Sequence, residues 1–285
     1  MRVGFLGPSG TFAEEALRAS APPGVEEVPF ATVSETVMAV QGGAVEQAVV
    51  PIENSLEGSV TTTLDALAGD ASDVRIVAEV VRPISHCLIA REGVSLEDVT
   101  RVLSHPQALA QCSRFLHERT PGARTEVAAS TAEAVRSAVD SPEPLAAIGT
   151  RLAAELYGGA VLAEGVEDRP DNLTRFVWLA RSGTPPHRPP DKTSVVFWGF
   201  NDESPGALVG VLNEFAEREV NLTKIESRPR RVQLGHYMFF ADLDGAEDDP
   251  PVRAALEGLA HRVEILKVLG SYPGAPRGGE RQDRG

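Results

Sequence analysis

The chain has 285 residues, with 27 lysines and arginines against 41 aspartates and glutamates, a formal net charge of −14. That balance argues against a nucleic-acid binder or a protein that docks on anionic lipid, whose footprints are basic, while 42% apolar against 24% charged residues argues against disorder. Two cysteines, Cys87 and Cys112, exclude a disulfide framework and an all-cysteine metal cage. The length suits two domains. No apolar run approaches a membrane span, and Met1-Arg2 leads straight into a strand-like run where a signal peptide would need a longer apolar core. The expectation is a reduced, soluble, cytoplasmic protein.

In chain order, Arg2–Leu6 reads as a strand, Thr11–Ala19 and Thr32–Gln41 as helices, Ala48–Ile52 as a strand and Thr61–Ala68 as a helix. Val74–Val81 and Ile84–Ala90 are extended, and the long stretch near Val80 suits a crossover between lobes. Arg101–Ser104 is a strand followed by one helix from Gln107 to about Glu118; then come helix Thr131–Val139, strand Leu145–Ile148, helix Thr150–Leu156 and strand Arg175–Ala180. Such alternation predicts an α/β domain with largely parallel sheets, in one sheet or two small lobes. Four prolines between Ser182 and Lys192 predict a stiff linker. Beyond it the order is strand Thr193–Phe200, helix Gly206–Arg218, strands Asn221–Ser227 and His236–Asp242, helix Val252–Ala260 and strand Val263–Leu269. This is βαββαβ, the ferredoxin-like arrangement, which exposes a sheet edge and commonly pairs with a second copy. The expected organisation is 1–181, a linker at 182–192, a module at 193–272 and an unstructured tail at 273–285.

Polar residues gather where strands end, which is where open α/β sheets bind ligands. Gly7-Pro8-Ser9-Gly10-Thr11-Phe12 offers tight turning and free amides at a helix start, although a turn with Thr11 as N-cap explains it equally. It has neither the lysine of a P-loop nor the glycine spacing of a dinucleotide fingerprint. Pro51-Ile52-Glu53-Asn54-Ser55-Leu56-Glu57-Gly58-Ser59 carries more polar groups than one helix cap needs. In Ser104-His105-Pro106-Gln107-Ala108-Leu109-Ala110-Gln111-Cys112, Gln107 and Gln111 share a helix face, His105 is a candidate ligand contact, and Cys112 reads as a core residue. His86 and Cys87 read as structural. Asp171-Asn172-Leu173-Thr174-Arg175-Phe176 sets a hydroxyl beside a planar guanidinium suited to a carboxylate.

These stretches, Gly7–Ala16, Pro51–Val60, Ser104–Cys112 and Asn172–Phe176, together resemble prephenate dehydratases; Ser204–Leu212 and Asn221–Pro229 resemble the regulatory ACT domain of the same enzymes. The resemblance runs to about Tyr272, with no segment corresponding to the chorismate mutase module fused to some relatives. It implies a two-lobed, periplasmic-binding-protein-like catalytic domain followed by the ACT module. It also implies decarboxylative dehydration of prephenate to phenylpyruvate, without cofactor or metal, inhibition by L-phenylalanine, and a homodimer or homotetramer. Thr174 is then the residue closest to catalysis, with Arg175, Phe176, Asn54 and Ser55. Substrate contacts would come from Ser9, Gly10, Thr11, Gly58, Ser104, His105, Gln107 and Asn172. The effector pocket would use Gly206, Ala207, Leu208, Asn221, Leu222, Glu226, Ser227, Arg228 and Pro229. Arg175 and helix starts are expected to hold the two carboxylates, and at least one of Glu53 and Glu57 to turn away or pair with a cation. Arg230-Arg231 departs from the family's pattern by adding local positive charge. An arogenate dehydratase and a non-catalytic amino-acid sensor remain the competing readings.

Overall fold

A computed structural model of the chain describes residues 1–200, 204–231 and 235–276. The first part runs β1 (Arg2–Leu6), α1 (Phe12–Ser20), β2 (Glu26–Phe30), α2 (Val33–Gln41), β3 (Gln47–Asn54), β4 (Gly58–Ser59), α3 (Thr61–Ala68), β5 (Val74–Pro83), β6 (Cys87–Ala90), β7 (Arg101–Ser104), α4 (Pro106–Gln111), α5 (Ser113–Arg119), β8 (Arg124–Val127), α6 (Thr131–Asp140), β9 (Leu145–Gly149), α7 (Arg151–Tyr157), β10 (Ala160–Glu164) and β11 (Leu173–Arg181). Then follow β12 (Lys192–Trp198), α8 (Ala207–Ala216), β13 (Leu222–Pro229), β14 (Tyr237–Asp244), α9 (Pro250–Ala260) and β15 (Ile265–Tyr272). The chain divides into two compact units, Met1–Leu64 with Val81–Phe176, and Asp65–Val80 with Val177–Gly285.

The first unit has two sheets and is the expected two-lobed α/β body. One sheet takes the order β2-β1-β3-β11, with β4 folded back on β3; β1 is parallel to both β2 and β3. The other is ordered β10-β6-β9-β7-β8. It is mixed rather than parallel, because β6 runs antiparallel to both β10 and β9 while β7 is parallel to β8 and β9. Its inner strands are apolar runs that are buried throughout, Leu88, Ile89 and Ala90 on β6 and Ala146, Ala147 and Ile148 on β9, as expected where helices cover both faces. Helix starts are capped by short hydroxyl side chains: Thr11, Thr32, Ser130 and Thr150 each accept a hydrogen bond from a first-turn amide.

Four strands have no counterpart in the sequence pattern: β2, β4, β8 and β10, of which β4 is a two-residue return on β3. β2 and β8 are outermost in their sheets, where Pro29 and the polar run Arg-Thr-Glu-Val are tolerated. β10 follows the Gly158-Gly159 pair as an outer antiparallel strand on β6. The single helix expected after Gln107 is two, α4 and α5, meeting at Cys112, whose backbone leaves the helical region (φ −117°, ψ 17°).

In the second unit, β11 neighbours β5, and β13-β14-β12-β15 form an antiparallel sheet in the βαββαβ order. Val195, Phe197, Ala241 and Leu243 pack with Val211 and Phe215 of α8 and Val252, Ala255 and Leu259 of α9. The opposite face is closed by α3 and β5. Arg228 holds Asp65 through Nε and Nη2 at 2.9–3.1 Å, and Lys267 Nζ donates to the carbonyls of Leu67 and Ala71 at 2.6 and 2.8 Å, ending α3. On β15, a Cβ at Gly270 would lie 2.2 Å from the Ile76 carbonyl oxygen. Replacing Gly270 by alanine is therefore expected to cost about 2 kcal/mol and lower Tm by about 4–8 °C, read by a thermal melt. Gly274 N donates to Asp191 Oδ1, and Ala275 N to Glu79 Oε1 at 2.7 Å; of the expected tail, residues 277–285 lie outside the described residues.

Candidate active site

A cleft of about 420 Å³ opens in the first unit. Its lining comes from both sheets: Thr11 and Phe12 at the start of α1, Asn54 at the end of β3, His86 before β6, His105, Gln107 and Gln111 from the β7–α4 region, Ser130 and Thr131 at the start of α6, and Asn172, Thr174 and Phe176 at the start of β11. Among the described residues that line it, none is Asp, Glu, Lys or Arg. What positive character the cleft has comes from two helix starts, α1 and α6, whose first amides carry partial positive charge.

Asn54 organises the site. Its Oδ1 accepts from the backbone N–H groups of Leu56 and Glu57 at 2.9 and 3.0 Å. Backbone amides only donate, so the oxygen is fixed and the amide nitrogen must point the other way. That nitrogen donates to Asn172 Oδ1 at 2.7 Å and Thr174 Oγ1 at 2.8 Å. Thr174 Oγ1 is thereby held as an acceptor, and its own proton is left to donate into the cleft. Asn172, 1% exposed, passes the polarity on: its Nδ2 lies 3.5 Å from Gln111 Oε1. Ser55 pins the strand that carries Thr174, because its N–H donates to the Leu173 carbonyl and its Oγ accepts from Leu173 N at 2.9 Å.

The expected residues fall into two groups. Thr11, Asn54, His105, Gln107, Asn172, Thr174 and Phe176 face the cleft. Ser9, Gly10, Ser55, Gly58, Ser104 and Arg175 do not, and each has another task. The Ser9 carbonyl accepts from Tyr157 Oη at 2.7 Å. Gly10 sits at φ +91° with its N–H on Glu14 Oε2 and its carbonyl on Thr150 Oγ1, so that amide is not available to an anion. Gly58, at φ +81°, makes the β3–β4 turn possible. Ser104 is fully buried and donates to the Ile148 carbonyl. Arg175, expected to grip a substrate carboxylate, lies instead with Nη2 3.0 Å from Glu53 Oε2. The strand alternation explains this: Thr174 and Phe176 point to the cleft, so Arg175 points away. Glu53 is thus the carboxylate that pairs with a cation.

Phe12, His86, Gln111, Ser130 and Thr131 line the cleft without being among the expected site residues. Gln111 lines the cleft with Nε2 unpartnered, and its i,i+4 relation to Gln107 was the available signal. His86, read as structural, also lines it, 2% exposed. Burial pushes its pKa below the usual imidazole range, so the ring is neutral. Cys87 and Cys112 are buried with their thiols pushed up by desolvation, Cys87 to about 11; neither is a thiolate nucleophile. Among the described residues no cluster of three His, Cys, Asp or Glu is placed to hold a metal, and no helix is long and apolar enough to cross a membrane.

In the second unit the nine expected effector residues do not converge on one face. Gly206, Ala207 and Leu208 open α8, and Asn221 Nδ2 donates to Asp244 Oδ2 at 2.8 Å beside Leu222 at the start of β13. Ser227 is opposite Phe239, on the helix-covered side. Glu226 and Arg228, opposite Phe240 and Met238, belong to the other face, where Arg228 is taken up by Asp65. Pro229 borders a smaller cavity, about 290 Å³, with Trp198, Arg230 and Arg231.

Comparison with known proteins matches residues 3–184 to the prephenate dehydratase family and residues 196–261 to the ACT domain family. A prephenate dehydratase of Mycolicibacterium gilvum is 42% identical over 97% of this chain and 92% of its own length. The crystal structure of the Arthrobacter aurescens prephenate dehydratase in complex with L-Phe superposes with a TM-score of 0.87 at 42% identity, covering 96% of this chain and 90% of that one. A structure described as GqqA, a novel type of quorum-quenching acylase, superposes at 0.86 with 33% identity over 97% of this chain and 99% of its own. Match in sequence over nearly the whole length, together with the same fold, places the chain in the prephenate dehydratase family, with an ACT domain following the catalytic one.

Proposed function

We propose that the protein converts prephenate to phenylpyruvate, carbon dioxide and water, in the cytoplasm, in the service of L-phenylalanine synthesis. The observation that carries this is the fixed polarity of Thr174, a hydroxyl made to donate into a cleft with no ionic side chain among the described residues that line it. Prephenate loses its ring carboxylate as carbon dioxide, and that electron pair aromatises the ring and expels the hydroxyl. Negative charge grows on the departing oxygen, and a donor aimed there lowers the barrier. The starts of α1 and α6 and the Gln111 Nε2 amide hold the anionic groups; Phe12 and Phe176 supply apolar wall.

The acylase neighbour raises a second chemistry, which requires an activated nucleophile. The cleft favours the dehydratase: His105 Nδ1 accepts from Gln107 N, His86 Nε2 bonds to Gln111, and both thiols are neutral.

The second unit is the regulatory part, taking L-phenylalanine in an assembly of two or four copies. Support comes from β13, outermost in its sheet, with Ile225 47% and Val209 60% exposed on the same side, a surface of the kind that a second copy covers. Mixing protein with prephenate and following phenylpyruvate absorbance tests the reading. Turnover is expected, and millimolar L-phenylalanine is expected to reduce it and raise Tm, as any ligand of the native state does. No product at neutral pH would sink the activity; no response of rate or Tm to phenylalanine would sink the regulation.

A further inference from the structure

His86 is joined to Thr174 by an unbroken chain of hydrogen bonds whose direction is set at one end. The amides of Leu56 and Glu57 make Asn54 Oδ1 an acceptor. Asn54 Nδ2 therefore donates to Asn172 Oδ1, Asn172 Nδ2 to Gln111 Oε1, and Gln111 Oε1, now an acceptor, takes the proton of His86 Nε2 at 3.1 Å. A neutral imidazole carries one N–H. With it committed at Nε2, Nδ1 is a bare acceptor. It is buried and has no partner among the described residues, on a ring that lines the cleft. The rest of the ring is accounted for: Phe12 stands edge-on at 5.3 Å between centroids, and Glu167 Oε2 accepts the backbone N–H of His86 at 2.7 Å. A buried acceptor without a partner costs free energy unless a ligand reaches and fills it.

We propose that His86 Nδ1 accepts the hydrogen bond of the substrate's ring hydroxyl, making His86 a substrate-contacting residue that recognises the leaving group. This rests on the cleft being the prephenate site. At neutral pH the prephenate dianion has one hydrogen-bond donor, that hydroxyl; its other polar groups are carboxylates and a ketone, which only accept. A bare nitrogen lone pair repels those and suits the hydroxyl alone. The two ends of the chain are then complementary. Thr174 donates to the hydroxyl oxygen and His86 takes the hydroxyl hydrogen, so the oxygen is held with a lone pair towards Thr174. No proton changes owner in this contact; it orients the group whose C–O bond breaks.

The product phenylpyruvate lacks the ring hydroxyl and provides the control. His86→Gln keeps an N–H near the Nε2 position for Gln111 and removes the δ acceptor. It is expected to lower kcat/KM for prephenate about 30-fold, the scale of loss when one buried hydrogen-bonding group is left unpaired. Phenylpyruvate affinity, read as product inhibition or by calorimetry, should stay within about threefold on the same grounds. His86→Asn, which restores an acceptor near the δ position, should recover most of the loss. Equal losses for prephenate and phenylpyruvate, or near-normal kcat/KM in His86→Gln, would overturn the proposal. Nitrogen-15 NMR of the imidazole in the unsubstituted full chain is the second readout, independent of how the variants fold. Nδ1 should resonate as unprotonated, and a protonated Nδ1 would overturn the proposal by itself. If the unsubstituted protein makes no phenylpyruvate, the activity reading fails, and the NMR result still decides whether the ring presents an acceptor.

Discussion

Thr174→Val is expected to lower kcat about 100- to 1,000-fold with little change in KM or in the far-ultraviolet circular dichroism. Valine keeps the shape of threonine and its β-branching, so β11 stays paired, and only the hydroxyl is lost. Removing one well-placed donor from a developing oxyanion costs about 2.7–4 kcal/mol in the transition state. The loss falls on kcat because the charge on the leaving oxygen exists only as the C–O bond stretches. Thr174→Ser keeps the donor and should retain activity within about tenfold, the missing methyl costing only packing. Steady-state rates of phenylpyruvate formation decide the matter: if the valine variant works within threefold of the parent, the departing hydroxyl is assisted by some other group.

Asn54→Asp should be at least as damaging to kcat, about 1,000-fold, while leaving Tm within a few degrees. A carboxylate still accepts from Leu56 N and Glu57 N, so the β3–β4 turn is kept. It cannot donate, however. Thr174 would then swing its proton to the new carboxylate and present only lone pairs to the leaving group, and a negative charge would stand beside a dianionic substrate. Both changes act on one hydroxyl, so the double variant should be scarcely worse than Asn54→Asp alone. Kinetics and melts of the two single variants and the double test this; simple multiplication of the two losses would mean Asn54 acts elsewhere.

Much of this site is readable in the sequence because α/β sheets place ligands at strand ends, and polar clusters stand there at Asn54 and His105–Gln107, with Asn172–Thr174 opening β11. Alternation along β11 also separates Thr174 from Arg175, but a neighbouring guanidinium draws attention whenever the substrate is an anion. What opposes it, Glu53, sits on another strand 122 positions away in the chain, and sequence spacing does not carry that pairing. His86 illustrates a different limit. A histidine beside Cys87-Leu88-Ile89 looks like core, and it is buried; that its Nδ1 is a bare acceptor follows only from the three-residue relay through Gln111, Asn172 and Asn54. The edge strands β2, β8 and β10 were missed because edges relax the apolar pattern that marks inner strands. In the ACT part the order of elements is legible in the sequence, and strand parity sets the faces. It sends Glu226 and Arg228 to the face opposite α8, and so splits residues that stand side by side in one motif.

The absence of ionic side chains among the described residues lining the cleft bears on how the protein and a dianion meet. The body carries −14 charges, and its field is repulsive out to a Debye length, about 8 Å at physiological ionic strength. Helix-start dipoles and amide hydrogens reach a few ångströms at most. Encounter is therefore unaided by long-range steering, and salt favours approach by screening the repulsion. Selection is made at contact, by groups whose directions folding has already fixed.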